Sequence, residues 1–313
     1  MKFLRVGNIG AEKPALLDNN IIRDLSSVIK DIDQTTIGDN LINTIKKLDI
    51  SKLPQLDNNL RIGACVSNPT KFLGIGLNFL DHALEQNLEI PKEPIIFSKA
   101  TTCISGPNDE ILIPKNSEKA DWEVEIAFVI GKKGKNISLA EAESYIFGYC
   151  LVCDVSEREW QKKRSGQWIK GKSADTFGPI GPYLVTKDEI KDLYNLNMTL
   201  DVNGKRMQTG NTSKMIHKMN FLTSYVSEFM TLMPGDIISY DEQIVEVISI
   251  SEDIDAILSN PETFGQETES NQSGTTYAIN SLQELNDLVA KDSRCEKVLL
   301  PLRDGLMMVR VKK

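Results

Sequence analysis

The chain is poor in histidine, has an odd number of cysteines, and carries no long apolar run, and each shortage excludes something. Histidine occurs twice, at His82 and His217, so one chain cannot supply a three-histidine metal site. Five cysteines argue against the paired disulfide framework of a small secreted domain. No stretch of eighteen apolar residues occurs, so no membrane-spanning helix and no membrane partner are expected. Met1-Lys2-Phe3-Leu4-Arg5-Val6-Gly7 is broken by charge and glycine too early for a secretory signal, and a cytoplasmic location is expected. Positive charge is also short. Lys and Arg number 36 against 44 Asp and Glu, and the net charge of -8 disfavours nucleic acid as a partner. A chain this acidic binds an anionic substrate only by concentrating positive charge locally, through a metal ion or a few placed Lys and Arg residues. Gly74-Ile75-Gly76 lacks the third glycine of a dinucleotide-binding loop.

What is present has the composition of a globular protein, 41% hydrophobic and 26% charged, over a length that allows one large domain or two smaller ones. Residues 1 to about 60 read as a small α/β unit. It has a strand at 2–6, a turn near Asp18-Asn19-Asn20, and a helix capped by Asp39 with Leu41, Ile42, Ile45 and Leu48 on one face. From Arg61 the texture changes to short β-type runs at 71–76, 94–97, 111–114 and 122–130, with a helical segment near 139–145 and a strand at 149–155. Asn203-Gly204 marks a tight hairpin between 196–202 and 205–208. Met215, Ile216, Met219, Leu222, Tyr225, Val226, Phe229 and Met230 recur at helical spacing and read as a core-packing stripe, with His217 inside that helix and a stop at Pro234-Gly235. Beyond Tyr240 the pattern changes again. Residues 266–275 are polar and read as a loop, 281–290 as a helix, and 306–311 as a final strand. Cys150 and Cys153 have CxxC spacing, yet they lie in an apolar stretch without a second CxxC or a nearby histidine, so packed core thiols are the better reading than zinc or redox chemistry.

The informative feature is a set of acids in a β context. In Asp121-Trp122-Glu123-Val124-Glu125, a strand would point Glu123 and Glu125 to one face and Val124 to the other. Like charges on one face repel unless a cation or base lies between them. The apolar run at 126–130 carries the strand into a core, so solvent alone explains the pair poorly. Asp154 ends another apolar strand. Three carboxylates with added waters suit Mg²⁺ or Mn²⁺, which prefer oxygen ligands, and three unrelated surface acids are the plain alternative. His82 and Glu85, three apart, would share a helix face. A carboxylate raises the basicity of an imidazole, which suits a general base, and an exposed i,i+3 pair is the simpler alternative. Lys172 sits in a turn-rich stretch, where it is either a solvated loop lysine or a group that stabilises developing negative charge.

Taken in order, the blocks Gly76-Leu77-Asn78-Phe79-Leu80-Asp81-His82, Phe97-Ser98-Lys99, Ser105-Gly106-Pro107, Asp121 to Glu125, Asp154-Val155-Ser156-Glu157-Arg158, Gln167-Trp168 and Gly171 to Pro182 resemble the fumarylacetoacetate hydrolase family. Thr212-Ser213-Lys214-Met215 and Pro234-Gly235-Asp236 also fit, and the resemblance runs from the N-terminus to about Ser239. The opening seven residues and Ser156-Glu157-Arg158-Glu159 look like the branch of 2,4-diketo-3-deoxy-sugar-acid hydrolases, with similar proteins often described as ureidoglycolate lyases.

The resemblance implies an α+β fold, a mixed β-roll carrying a small N-terminal α/β domain, and a homodimer. It implies Glu123, Glu125 and Asp154 as ligands of Mg²⁺ or Mn²⁺, His82 and Glu85 as a water-activating dyad, and Lys172 near the substrate oxygens. Arg158, Gln161 and Thr212 match positions of substrate contact. The implied reaction is hydrolysis of a C–C bond in a 2,4-dioxo acid, with ureidoglycolate lyase, decarboxylase or isomerase chemistry on the same platform as the runner-up.

After Ser239 the family's Thr-Gly-Thr-Pro loop is replaced by Tyr240-Asp241-Glu242-Gln243, and residues 278–313 are similar to the end of a catechol-type O-methyltransferase through Leu285-Asn286-Asp287, Val298-Leu299-Leu300-Pro301 and Asp304-Gly305-Leu306. The expected organisation is therefore an N-terminal domain at 1–60, a catalytic domain at 61–239 and an atypical tail at 240–313. A third reading follows from that tail: an inactive metal-binding scaffold.

Overall fold

The computed structural model describes residues 1–80, 90–241 and 310–312, so His82, Glu85 and nearly all of the atypical tail lie outside the described residues. The chain opens with β1 (Lys2–Val6), β2 (Lys13–Asp18), β3 (Ile21–Asp24) and α1 (Asp39–Lys46). There follow β4 (Phe72–Gly76), β5 (Ile95–Lys99), β6 (Ile104–Ser105), β7 (Glu110–Leu112) and β8 (Ala120–Asp121). Next come β9 (Val124–Ile130), β10 (Ile146–Cys153) and β11 (Ser156–Glu157), which lead into α2 (Arg158–Lys163) and α3 (Ile169–Lys172). The remaining elements are β12 (Gly178–Thr186), β13 (Asn197–Val202), β14 (Lys205–Asn211), α4 (Met219–Phe229), β15 (Ile237–Asp241) and β16 (Arg310–Lys312).

One large sheet organises these elements in the order β3-β2-β1-β12-β10-β9-β15-β4-β5, with β6 added beside β12. It is mixed, because β15 runs parallel to β4 and antiparallel to β9. Its central strand β9, Val124-Glu125-Ile126-Ala127-Phe128-Val129-Ile130, is buried along its whole length. Both faces of the sheet are therefore covered. Ala127 and Val129 pack with Phe72, Val152, Phe177 and Ile180 on one side, while Ile126, Phe128 and Ile130 pack with Phe79, Met219, Leu222 and Val226 on the other. The Pro234-Gly235-Asp236 motif starts β15. Gly235 takes φ +84, a left-handed turn that suits glycine, and the buried Asp236 carboxylate accepts from Thr70 Oγ1, Lys71 Nζ and the Met233 N–H.

The first 60 residues join this sheet. β1 pairs with β12 through Lys2↔Val185 and Phe3↔Leu184, and Phe3, Leu16, Leu25, Leu41 and Ile45 belong to the same buried cluster as Phe72 and Phe177. Several local expectations are corrected. The helix expected near 139–145 is a single 3-10 turn at Ala142–Tyr145. The cap of α1 is Gly38, and Asp39 is its first helical residue. α4 begins at Met219, so His217 precedes the helix, where its N–H donates to Asn78 Oδ1 at 2.9 Å and its carbonyl accepts from Asn78 Nδ2 at 3.0 Å.

The stripe expected to be core divides in two. Met219, Leu222 and Val226 are buried, whereas Tyr225 and Phe229 join Phe221 and His217, which are not part of the stripe, in a row of rings 5.0–5.8 Å apart, with Phe229 57% exposed. Cys150 and Cys153 are buried free thiols, and burial pushes the Cys153 thiol up to about 12. Among the described residues, no helix is long and apolar enough to cross a membrane.

Candidate active site

The site grows out of the β9–β10 ladder. Cys153 pairs with Val124 and Val152 with Glu125, and one step further the Asp154 N–H donates to the Glu123 carbonyl at 2.8 Å. Directly opposed residues of an antiparallel pair point to the same face, and so do residues two apart on one strand. The backbone alone therefore brings Glu123, Glu125 and Asp154 together. All three are fully buried, and carboxylate oxygens from the three lie within 4.8 Å of one another.

Three cations meet this set. Lys172, the last residue of α3, is 1% exposed and donates to Glu123 Oε2 at 2.5 Å and to Asp154 Oδ2 at 2.6 Å. Arg158, at the start of α2, places Nη2 2.5 Å from Glu123 Oε1. Its Nε donates to Asp121 Oδ2 at 2.7 Å, and its Nη1 donates to Gln161 Oε1 at 3.0 Å. Lys99, the last residue of β5, donates to Asp154 Oδ1 and to the Lys172 carbonyl oxygen.

Helix α2 is aimed by its own cap. The buried Glu157 carboxylate accepts from the Trp160 N–H at 2.6 Å and from the Lys119 N–H at 2.9 Å, which directs Arg158 and Gln161 inward. Burial pushes the Glu123 carboxyl up despite Arg158 and Lys172 beside it. Burial acts on Asp154 as well, but Lys172 and Lys99 outweigh it and hold that carboxyl below its ordinary value.

This donor set fits a metal ion. It is all oxygen, anionic, shielded from water and close enough to converge on one small cation, which is what Mg²⁺ and Mn²⁺ require. Of the residues expected from the sequence, the structure brings together Glu123, Glu125, Asp154, Lys172, Arg158 and Gln161. Thr212 is differently engaged. Its hydroxyl donates to the Leu193 carbonyl at 2.8 Å and accepts from the Leu196 N–H at 2.8 Å, tying β14 to the loop before β13. His82 and Glu85 lie outside the described residues, although the chain leading to them is anchored at Asn78 by its exchange with His217.

Lys99 was visible in the sequence only as part of an ordered block. A signal did exist, because in Phe97-Ser98-Lys99 the β period puts Lys99 on the same inward face as the buried Phe97, and a lysine there needs a buried partner.

A mixed sheet that brings three buried carboxylates and a lysine together forms a candidate metal site built from oxygen ligands. Residues 71–240, more than half of the chain, match the profile described as "Fumarylacetoacetate (FAA) hydrolase C-terminal", and the chain belongs to that family. A protein of Burkholderia ambifaria named "Putative hydrolase" is 51% identical over 240 residues, which cover 76% of this chain and 85% of the relative. Among solved structures, the 5-carboxymethyl-2-hydroxymuconate delta-isomerase of Mycobacterium smegmatis superposes with a TM-score of 0.62 at 27% identity, covering 79% of this chain and 90% of that one. The maleylpyruvate hydrolase of Sphingobium sp. SYK-6, solved with manganese(II) ion and pyruvate, shares the fold with a TM-score of 0.67 at 23% identity, covering 79% and 91%.

Proposed function

We propose that this protein is a metal-dependent hydrolase that cleaves a C–C bond of a 2,4-dioxo acid, releasing pyruvate and a second acid. The observation that carries the reading is the convergence of the buried carboxylates of Glu123, Glu125 and Asp154, with Lys172 in direct contact with two of them. Glu123, Glu125 and Asp154 would hold Mg²⁺ or Mn²⁺, which supplies Lewis-acid polarisation of the substrate's 2-oxo group. Arg158, which contacts Glu123, and Gln161, which accepts from Arg158, stand beside the carboxylates and suit the substrate's oxygens.

Water, whose activation the family resemblance assigns to His82 and Glu85, adds to the distal carbonyl carbon. The C3–C4 bond then breaks and its electron pair stays on C3 as the enolate of pyruvate. C4 leaves as the second acid, and C3 takes up a proton. Lys172 would stabilise the developing enolate oxygen, and a placed cation shielded from water, as this one is, has its largest effect on rate there. The resemblance of the opening seven residues and of Ser156-Glu157-Arg158-Glu159 to the 2,4-diketo-3-deoxy-sugar-acid hydrolases supports this substrate class. The isomerase among the structural neighbours supports a second reading in which the same platform moves a proton without breaking the bond.

The test is pyruvate release from a 2,4-dioxo acid after stripping with EDTA and adding back Mg²⁺ or Mn²⁺. Metal-dependent release, abolished in Glu123→Ala, is the expected outcome. Metal-dependent isomerisation without pyruvate would favour the second reading. Release of glyoxylate and urea from ureidoglycolate would favour a lyase. Folded protein that binds metal and converts none of these would favour a scaffold.

A further inference from the structure

Lys99 is the one buried cation of this cluster that the reaction above leaves without a role. Its side chain is fully buried at the end of β5. Its ammonium donates to Asp154 Oδ1, to the Lys172 carbonyl oxygen at 2.5 Å and, at longer range, to the Val155 carbonyl oxygen at 3.4 Å. Three acceptors match the three protons of an ammonium group, so the group is anchored on every side. The Phe72 ring lies 5.8 Å away.

Lys172 and Lys99 divide Asp154 between them. Lys172 takes Oδ2 and reaches across to Glu123, whereas Lys99 takes Oδ1 and reaches back to the main chain of Lys172 itself. Lys99 thus ties the Asp154 carboxylate to the end of α3, the segment that carries Lys172. Carboxylates buried without counter-charge are costly, and a metal site with three of them needs an internal cation to fold before the ion arrives.

We infer that Lys99 is a positioning residue that acts as the resident counter-cation of Asp154: it holds that carboxylate and the end of α3 in the metal-free protein, and its charge weakens the binding of the divalent ion. This rests on the metal-centre reading proposed above. The sign of the affinity effect follows from what remains when Lys99 is removed. Asp154 keeps its backbone bond to Glu123 and its contact with Lys172, so its position is largely retained. What is lost is one positive charge in contact with a ligand of the ion, and repulsion at that range exceeds about a tenfold effect on binding even when heavily screened.

The experiment is titration of EDTA-stripped wild type, Lys99→Met, Lys99→Gln and Lys99→Arg with Mn²⁺, with thermal unfolding in EDTA and in saturating Mn²⁺. Lys99→Met is expected to bind Mn²⁺ about tenfold or more tightly, to unfold at lower temperature in EDTA, and to recover most of that loss with Mn²⁺. Lys99→Arg, which keeps the charge, is expected to bind with an affinity close to wild type. Lys99→Gln can still donate to the Lys172 carbonyl but carries no charge, so it should tighten binding like Lys99→Met with less loss of stability. Unchanged or weaker Mn²⁺ binding in both neutral variants overturns the inference. If the neutral variants are recovered folded only with Mn²⁺ present, the counter-cation role stands, and if they aggregate with or without Mn²⁺ it is overturned in favour of a purely structural lysine. A wild type that binds no Mn²⁺ overturns the metal-centre reading first and this inference with it.

Discussion

Lys172 illustrates how much a single side chain depends on where its backbone ends. Its ammonium touches Glu123 and Asp154, and its carbonyl is held by Lys99. The group that would meet substrate is thereby fixed at both ends. If it stabilises charge that develops only in the transition state, Lys172→Ala should lower kcat about 10²–10³-fold with a much smaller change in KM, measured at saturating Mn²⁺. Equal kcat with a raised KM would mean that Lys172 only binds the ground state. At this scale the sequence was readable wherever chemistry and period coincided. Glu123 and Glu125 stand two apart before an apolar run, and Asp154 ends one. Lys99 gave a weaker signal, because its importance comes from a partner 55 residues away that only the folded chain brings into contact. Thr212 shows the converse case, a residue in a matching motif whose hydroxyl is fully engaged in holding a hairpin to a loop.

Among the elements, the short helices α2 and α3 matter most, because neither is long enough to be stable alone and each carries a site residue at its end. They pack closely through Gly171. A Cβ there would stand 2.4 Å from the Glu157 carbonyl oxygen and 2.6 Å from the Gln161 nitrogen, both backbone atoms that cannot swing aside. Gly171→Ala should therefore push α3 away from α2, cost roughly 1–3 kcal/mol of stability in urea unfolding, and reduce activity more than the stability loss explains, since Lys172 is the next residue. Unchanged unfolding and activity would show that the two helices have room to separate. Elements with a strong local code were legible. Asn203 and Gly204 take φ +52 and +79 in the β13–β14 turn, and β1 and β9 fall where β-type apolar runs predict them. The elements misread were those decided by tertiary contacts. Met215, Ile216 and His217 have helical spacing, but Asn78 captures the backbone of Ile216 and His217 and delays α4 to Met219. The 3-10 turn at Ala142–Tyr145 is cut short by the strand that begins at Ile146.

For the molecule as a whole, the question is whether the first 60 residues behave as a separate unit. The change of texture at Arg61 suggests a boundary, yet three kinds of interaction cross it. The sheet is continuous through β1 and β12. The buried cluster is shared, with Phe3, Leu16 and Leu41 grouped with Val152, Phe177 and Leu184. A charge network does the same, since Arg61 donates to Asp109 and Glu12, and Arg5 donates to Asp31 and Glu12. Removing the N-terminal segment would expose an edge of β12 and one side of the core, so its unfolding cannot be cheap while the rest stays native. Cooperative loss of both parts is therefore expected: thermal unfolding followed by far-ultraviolet circular dichroism and by tryptophan fluorescence should give one transition with coincident midpoints. The fluorescence reports on Trp122, Trp160 and Trp168, which all lie beyond residue 60. Circular dichroism also includes β1–β3 and α1, so an independent N-terminal unit would produce an early dichroism change with no fluorescence counterpart. Such a split would show that the shared sheet and core do not couple the two parts, and that the boundary visible in the sequence is a thermodynamic one.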